Sequence, residues 1–269
     1  MINPWYFVKN LLQSWRVCPT WPDRWTRMRW LYSDRGPGAA RSNRRRIRFH
    51  YDSPIGDLSV FVRDNGGADA FIMSEVFDHR YYEFDLPSSP RTILDLGANA
   101  GFTALFFARA YPQAEIACVE PMTDNVELLQ QNLALNNVKA AVFPAAISIE
   151  DGSLEMASDS NDYGHKVAHI AYGPSVEGPI SRVEAICVPS VLKKLKWSRI
   201  GLLKVDIEGY EGVLLKERCD WLHQVDAICI ECHEGYGLSD LTALGRSYGF
   251  LPAQKLPGTW LLYRERMAA

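Results

Sequence analysis

The chain has 269 residues, 47% of them apolar and 23% charged, with a formal net charge of −3. That size buries one sizeable core, or one domain plus an appendage, and that balance speaks against a wholly disordered chain. No run nears the eighteen or so apolar residues that a spanning helix needs, which speaks against insertion across a bilayer.

Charge is uneven. Eleven Lys and Arg residues stand against only Asp23 and Asp34 between Met1 and His50, so the remainder is strongly acidic. The same head carries Trp5, Trp15, Trp21, Trp25 and Trp30. Met1 to Leu12 lacks the basic, apolar and small-residue succession of a secretory leader. The six cysteines lie mostly in apolar stretches and read as reduced thiols, so a cytoplasmic location is expected. Cys229 and Cys232 form a C-x-x-C within a strand-like stretch, with no second pair to complete a four-ligand zinc site.

Three segments follow one another: a head over residues 1–46, an antechamber over 47–89, and a core over 90–269 with an insertion at about 148–180. Leu58 to Val62 alternates and predicts a strand, and Ala70 to Tyr82 has helical spacing. The core then alternates. Strands are predicted at Thr92–Leu96, Glu115–Val119, Ala140–Phe143, Gly201–Val205, Ala227–Ile230 and Thr259–Tyr263. Helices are predicted at Phe102–Tyr111, Thr123–Asn136 (with Thr123 as N-cap and Leu128, Leu129 and Leu133 inward) and Pro189–Lys196. This rhythm predicts an α/β fold: a doubly wound, mostly parallel sheet with an N-terminal extension. The insertion is too long for a plain connection and reads as a hairpin or a lid.

Between the first core strand and its helix runs Ile93-Leu-Asp-Leu-Gly-Ala-Asn-Ala-Gly-Phe. Glycine permits the backbone turn and the close approach that a ligand over a strand-to-helix crossing requires. A dinucleotide site wants G-x-G-x-x-G, yet Asn99 and Phe102 replace its second and third glycines, so a pyrophosphate would meet side chains. Asp95, Gly97, Ala98, Asn99 and Gly101 are the candidate cofactor residues. Glu120, ending the next strand, can accept hydrogen bonds from ribose hydroxyls.

These residues, with Val119-Glu-Pro, Asn125, Leu128, Leu129, Asn132, Leu203-Lys-Val-Asp-Ile-Glu-Gly-Tyr-Glu, Glu75-Val-Phe, Tyr81 and Ile230-Glu-Cys-His-Glu, resemble the FkbM family of class I methyltransferases. The resemblance runs from about Ala70 to Glu234. It implies a seven-stranded sheet, S-adenosylmethionine as cofactor, with Asp95 near its methionine end, and O-methylation of a hydroxyl on a sugar, glycan or specialised metabolite.

Methyl transfer needs an aligned acceptor and a base within about 3 Å of its hydroxyl. The strand ends offer Asp206, Glu208, Glu231 and His233. Asp206 is the first choice for acceptor contact or base and His233 the second, with Glu208 beside them. Lys204 is expected to pair with a neighbouring acid, and Glu211 to be a helix-terminus carboxylate. Mg²⁺ on Asp206 and Glu231 is an alternative ranked below a metal-free mechanism, so no metal ligand is assigned. His165 and His169 in the insertion are weaker candidates for reaching the acceptor.

The expected partner is a small-molecule or glycan acceptor. Nucleic acid is not expected, since no base-reading module is evident. The head suits peripheral membrane contact or a packing arm on the core or on a second subunit, the arm being preferred. A non-catalytic nucleoside-binding scaffold acting through the head is the alternative to an enzyme.

Overall fold

The computed structural model describes residues 4–32, 46–53, 56–63, 65, 68–157, 166–167 and 180–265. Helices α1 (Pro4–Val17) and α2 (Trp21–Tyr32) precede an antiparallel hairpin of β1 (Arg46–Ser53) and β2 (Gly56–Arg63). A short helix α3 (Ala68–Met73) runs into a π-helical turn at Ser74–Asp78. The core follows with β3 (Thr92–Leu96), α4 (Phe102–Ala110), β4 (Glu115–Val119), α5 (Thr123–Leu135) and β5 (Ala140–Phe143). The strands β6 (Ala146–Ser148), β7 (Gly152–Ala157), β8 (Lys166–Val167) and β9 (Ile180–Cys187) come next. They lead to α6 (Val188–Leu195), β10 (Leu202–Val205), α7 (Glu211–Leu214), β11 (Ala227–Ile230), α8 (Leu238–Tyr248), β12 (Gln254–Lys255) and β13 (Trp260–Tyr263).

Seven strands form one sheet in the order β12-β13-β11-β10-β3-β4-β5. Strand β13 is antiparallel to its neighbours β12 and β11, and the five strands from β11 to β5 pair parallel with one another. The predicted doubly wound sheet is therefore present. The chain winds outward from β3 through β4 and β5, then returns to β3's other side as β10 and β11. That reversal between β3 and β10 opens a crevice at the carboxyl ends of the strands, where ligands of such sheets bind.

Every residue of β10 and β11 is buried, as is β3 from Ile93 onward, because helices cover both faces. Ile93 joins the cluster containing Phe102, Phe107, Leu128 and Leu129, whereas Leu94 and Leu96 join Val188, Val191, Leu241 and Leu244 on the other face. Strands within and flanking the insertion form a second sheet, β6-β9-β7-β8. His165 and His169 lie outside the described residues.

Two elements differ from the sequence reading. The single helix expected over Ala70–Tyr82 ends at Met73 and gives way to the π-helical turn, a feature frequent at functional sites. Thr123 is not an N-cap: Met122 holds that position without a side-chain cap, its amide donating to Glu120 Oε1 at 2.9 Å. A carboxylate from the preceding strand end has taken over the capping.

The hairpin is fastened to the core by two asparagines one turn apart on α5. Asn132 accepts from Phe61 N at 2.7 Å and donates to the Phe61 and Ala100 carbonyls at 3.0 and 2.9 Å. Asn136 repeats the pattern, accepting from Ser59 N at 3.2 Å and donating to Ser59 O at 2.8 Å. The two amides replace a missing neighbour strand for β2. Replacing Asn132 with alanine is expected to destabilise the protein by about 2–3 kcal/mol, since it strands buried backbone groups of both the hairpin and the β3–α4 loop. Urea unfolding would measure this, and a loss below about 0.5 kcal/mol would contradict it.

Candidate active site

The β3–α4 loop turns through Gly97 at φ +75° and Gly101 at φ +85°, with Asn99 also left-handed at φ +45°. Gly97 is tightly constrained: a Cβ there would lie 1.9 Å from the backbone oxygen of Asp206. At Gly101 the obstacle is Leu129 Cδ1 at 2.5 Å. Hydrogen bonds from Gly97 N and Ala98 N to Val119 O, at 3.0 and 3.2 Å, pull the loop toward β4.

Glu120 ends β4 and is buried. It accepts from Asn99 N through Oε2 at 3.0 Å, and through Oε1 from Met122 N and Asn125 Nδ2, both at 2.9 Å. Burial raises its pKa against the lowering effect of those donors. A carboxylate has about four acceptor positions. Three are used, so Glu120, which lines the cavity, retains one on Oε2.

Asp95 is fully buried and does not line the cavity. Its Oδ2 accepts from Thr103 Oγ1 at 2.5 Å and its Oδ1 pairs with Lys204 Nζ at 3.1 Å. Side chains alternate along a strand, and this position points at α4 rather than into the crevice. Gly101 is likewise not among the lining residues, although Ala100 and Phe102 on either side of it are. Lys204 is the expected ion-pair partner and does more: its ammonium donates to the carbonyls of Leu96 at 3.3 Å and Gly97 at 2.7 Å. Burial alone would lower its pKa, but Asp95 and Asp206 hold it above the ordinary lysine value. Asp95 therefore shapes the loop through Lys204.

A cavity of about 390 Å³ runs from this loop to the ends of β10 and β11, lined among others by Gly97, Ala98, Asn99, Glu120, Asp206, Glu208, Glu231 and His233. At its far end His233 faces three carboxylates. Nδ1 lies 2.9 Å from Glu211 Oε1, while Nε2 lies 3.6 Å from Glu208 Oε2 and 3.9 Å from Asp206 Oδ1. Glu208 is held left-handed at φ +55° and is followed by Gly209 at +101°, a sharp turn that brings its carboxylate back toward the imidazole. Glu211 is fully buried and also accepts from the amides of Ile207 and Gly209, at 3.2 and 3.3 Å. It is thus more than the expected helix-terminus carboxylate, because it orients the imidazole.

Burial would depress the His233 pKa, but the hydrogen bond and charge of Glu211, then Asp206 and Glu208, raise it to about 9. At neutral pH the ring is an imidazolium. The same geometry would suit a cation with neutral His233, since ligand atoms of Asp206, Glu208 and His233 all lie within 4.8 Å of one another.

Two further acids complete the mouth. Glu231 rises to about 7 through burial, then Asp206 and Glu75, with His233 and Lys204 opposing. Glu75, on the π-helical turn, also rises to about 7, through burial and then Asp206, while a hydrogen bond from Tyr81 opposes. Sequence reasoning named Glu231 as one of four strand-end candidates and, with Asp206, as an alternative Mg²⁺ ligand, and gave Glu75 no role. It also missed Arg63, which is buried on β2. That guanidinium pairs with Asp69 at 2.7 Å and donates to Asn125 Oδ1 at 2.6 Å and Asn99 Oδ1 at 3.3 Å. The hairpin thereby braces the loop from behind.

A Glu211→Gln exchange is expected to drop the His233 pKa from about 9 toward its ordinary 6.5. The folded-state pKa is raised, so the associated stability is complete below pH 6.5 and lost as pH climbs through about 9. The variant should therefore be less stable at pH 7 by at most about 3 kcal/mol, the gap closing above pH 9. Histidine NMR titration with parallel melts measures both quantities. An unmoved His233 resonance would contradict the pairing.

The FkbM methyltransferase domain family matches residues 95–251 of this chain. Methyltransferase sdnD of Sordaria araneosa is 32% identical over 175 residues, covering 54% of this chain and 67% of its own. Methyltransferase 1 of Beauveria bassiana is 27% identical over 222 residues, covering 75% of this chain and 89% of its own. Hexuronic acid methyltransferase AglP of Haloferax volcanii is 23% identical over 150 residues, covering 56% of this chain and 59% of its own. With a doubly wound sheet, a glycine turn at its switch point and an acidic pocket beyond it, the chain belongs to the FkbM methyltransferase family.

Proposed function

We propose that the protein transfers the methyl of S-adenosylmethionine to a hydroxyl oxygen of a neutral sugar or a polyhydroxylated metabolite. One observation carries this reading: a single cavity joins the Gly97 turn and Glu120 to a cluster of carboxylates around His233. The residues suit the cofactor. Gly97, Ala98 and Asn99 offer backbone at a turn where a side chain at Gly97 would clash, and Glu120 retains acceptor capacity for a ribose hydroxyl. When bound, the cofactor supplies an electrophilic methyl on an already activated sulfonium.

What the protein must do is hold the acceptor oxygen in line and take its proton. Asp206 is assigned the hydroxyl contact and the proton. Glu231 and Glu75 titrate near neutrality and tune it, while the His233 imidazolium, fixed by Glu211, positions Asp206 and offsets part of the negative charge. Sugar hydroxyls donate readily to such carboxylates, whereas an anionic acceptor would be repelled. AglP is named for a hexuronic acid, which supports a sugar-class acceptor, and the acidic mouth here supports a neutral one.

Mass spectrometry of neutral glycans and metabolites, from cells with and without the gene, tests the reading. A gene-dependent methyl increment on oxygen is expected; an increment found only on nitrogen would refute it. A divalent cation on Asp206, Glu208 and neutral His233 is the second reading, favoured by the closeness of their ligand atoms. Loss of turnover in EDTA and recovery with Mg²⁺ would install it in place of the imidazolium.

A further inference from the structure

Helix α1 is amphipathic with its faces reversed. Trp5, Val8, Leu12 and Trp15 recur at helical spacing and form one stripe, and all four are exposed, Trp5 by 81% and Leu12 by 65%. The opposite face is turned inward and is polar: Asn10 and Ser14 are buried. Ser14 accepts from Arg27 Nη1 at 2.9 Å and donates to Asn10 O at 2.8 Å. Arg27 itself reaches Asp78 at 3.5 Å. Polar contacts thus attach the head alongside the buried Cys18 and Met28, and the apolar stripe of α1 stays outside.

Helix α2 extends the patch. Trp21 and Trp25, one turn apart, are 63% and 62% exposed, and Trp21 meets Trp15 edge-on at 4.8 Å. Cations ring these indoles. Arg24 stacks over Trp15 at 4.9 Å, and Lys9 and Arg29 are exposed beside the patch. An apolar surface of this kind on a soluble fold marks an interaction site.

We infer that this two-helix face docks on an anionic lipid surface. Two features select that occupant. Tryptophan dominates the patch, and the indole is the side chain suited to headgroup depth, where its ring is apolar and its N–H is wet. The flanking charges are cationic, in a head where ten basic residues meet two acids, and they complement anionic headgroups. A second copy covering the patch would have to bury those cations, which interface cores deplete.

Flotation of the full chain with vesicles of phosphatidylcholine alone, or mixed with phosphatidylglycerol, tests the inference. Binding to the mixed vesicles is expected, with a blue shift of tryptophan emission and weakening by salt. The double variant Leu12→Asp/Trp25→Ser alters only exposed positions and should lose at least tenfold in partitioning at an unchanged melting temperature. Should it fold poorly, Lys9→Glu/Arg29→Glu serves instead and should abolish the preference for anionic over neutral vesicles. Failure of the parent to bind, or unchanged binding by a folded variant, overturns the inference. So does a dimer in sedimentation velocity that the same substitutions dissolve, because a second copy would then be the occupant.

Discussion

Replacing Gly97 by alanine is expected to reduce methyl transfer by about 100-fold or more, with a matching loss of affinity for S-adenosylhomocysteine. The added Cβ would lie 1.9 Å from Asp206 O and 3.0 Å from Asp206 C. Both are backbone atoms of the chain leaving β10, so no rotamer change relieves the overlap. The residue also sits at φ +75°, a region costing an L-residue roughly 1–2 kcal/mol. Either the loop lifts from β10 or the end of β10 retreats, and each displaces one half of the cavity against the other. A misplacement of about 1 Å at a reacting centre is worth about 10² in rate. Gly101→Ala is the internal control. Its Cβ meets the terminal methyl of Leu129 at 2.5 Å, a flexible group that can rotate, so its loss should be smaller. Calorimetric titration and initial rates, beside melts of both variants, decide the matter. A Gly97→Ala protein that binds and turns over like the parent would show that the loop does not hold the cofactor.

That contrast marks what the sequence makes legible. The β3–α4 turn is readable because everything it needs is local: a buried apolar run, a glycine, and a helix starting within ten residues. The order of the sheet is readable because strands and helices alternate. The direction in which Asp95 points is a matter of strand parity, and parity does not say which face carries the crevice. It is settled only by Thr103 and Lys204, one turn and one strand away. The bonds by which Arg63 meets Asn125, Asn132 meets Phe61 and Asn136 meets Ser59 span 62 to 77 residues, so no local window of sequence contains both of their ends. Glu75 hides for a different reason. A helical spacing predicts a regular helix, whereas the π-helical turn adds a residue and rotates Glu75 into the pocket wall. The elevated pKa values of Glu75 and Glu231 are likewise collective, arising from burial plus carboxylates that belong to three separate segments.

Asp206→Asn separates the assigned base from its neighbours. The exchange keeps the shape and removes the proton acceptor, so kcat should fall by about 10²–10⁴ with cofactor affinity little altered, since the Gly97 turn and Glu120 are untouched. The pH profile gives an independent reading. In the parent, activity should rise as Glu231 and Glu75 lose their protons near pH 7. It should decline as His233 loses its charge near pH 9. After burial, Asp206 is the largest influence raising Glu231. Its neutralisation therefore lowers the Glu231 pKa and moves whatever ascending limb remains to more acidic pH. The opposite assignment makes a different forecast. Were Glu231 the acceptor of the proton, Asp206→Asn would shift the limb the same way but leave kcat at high pH within a few-fold of the parent, and Glu231→Gln would be the crippling change. Rates of both variants between pH 5 and 10 distinguish the two carboxylates, because only the residue that receives the proton is missed once every other group has titrated.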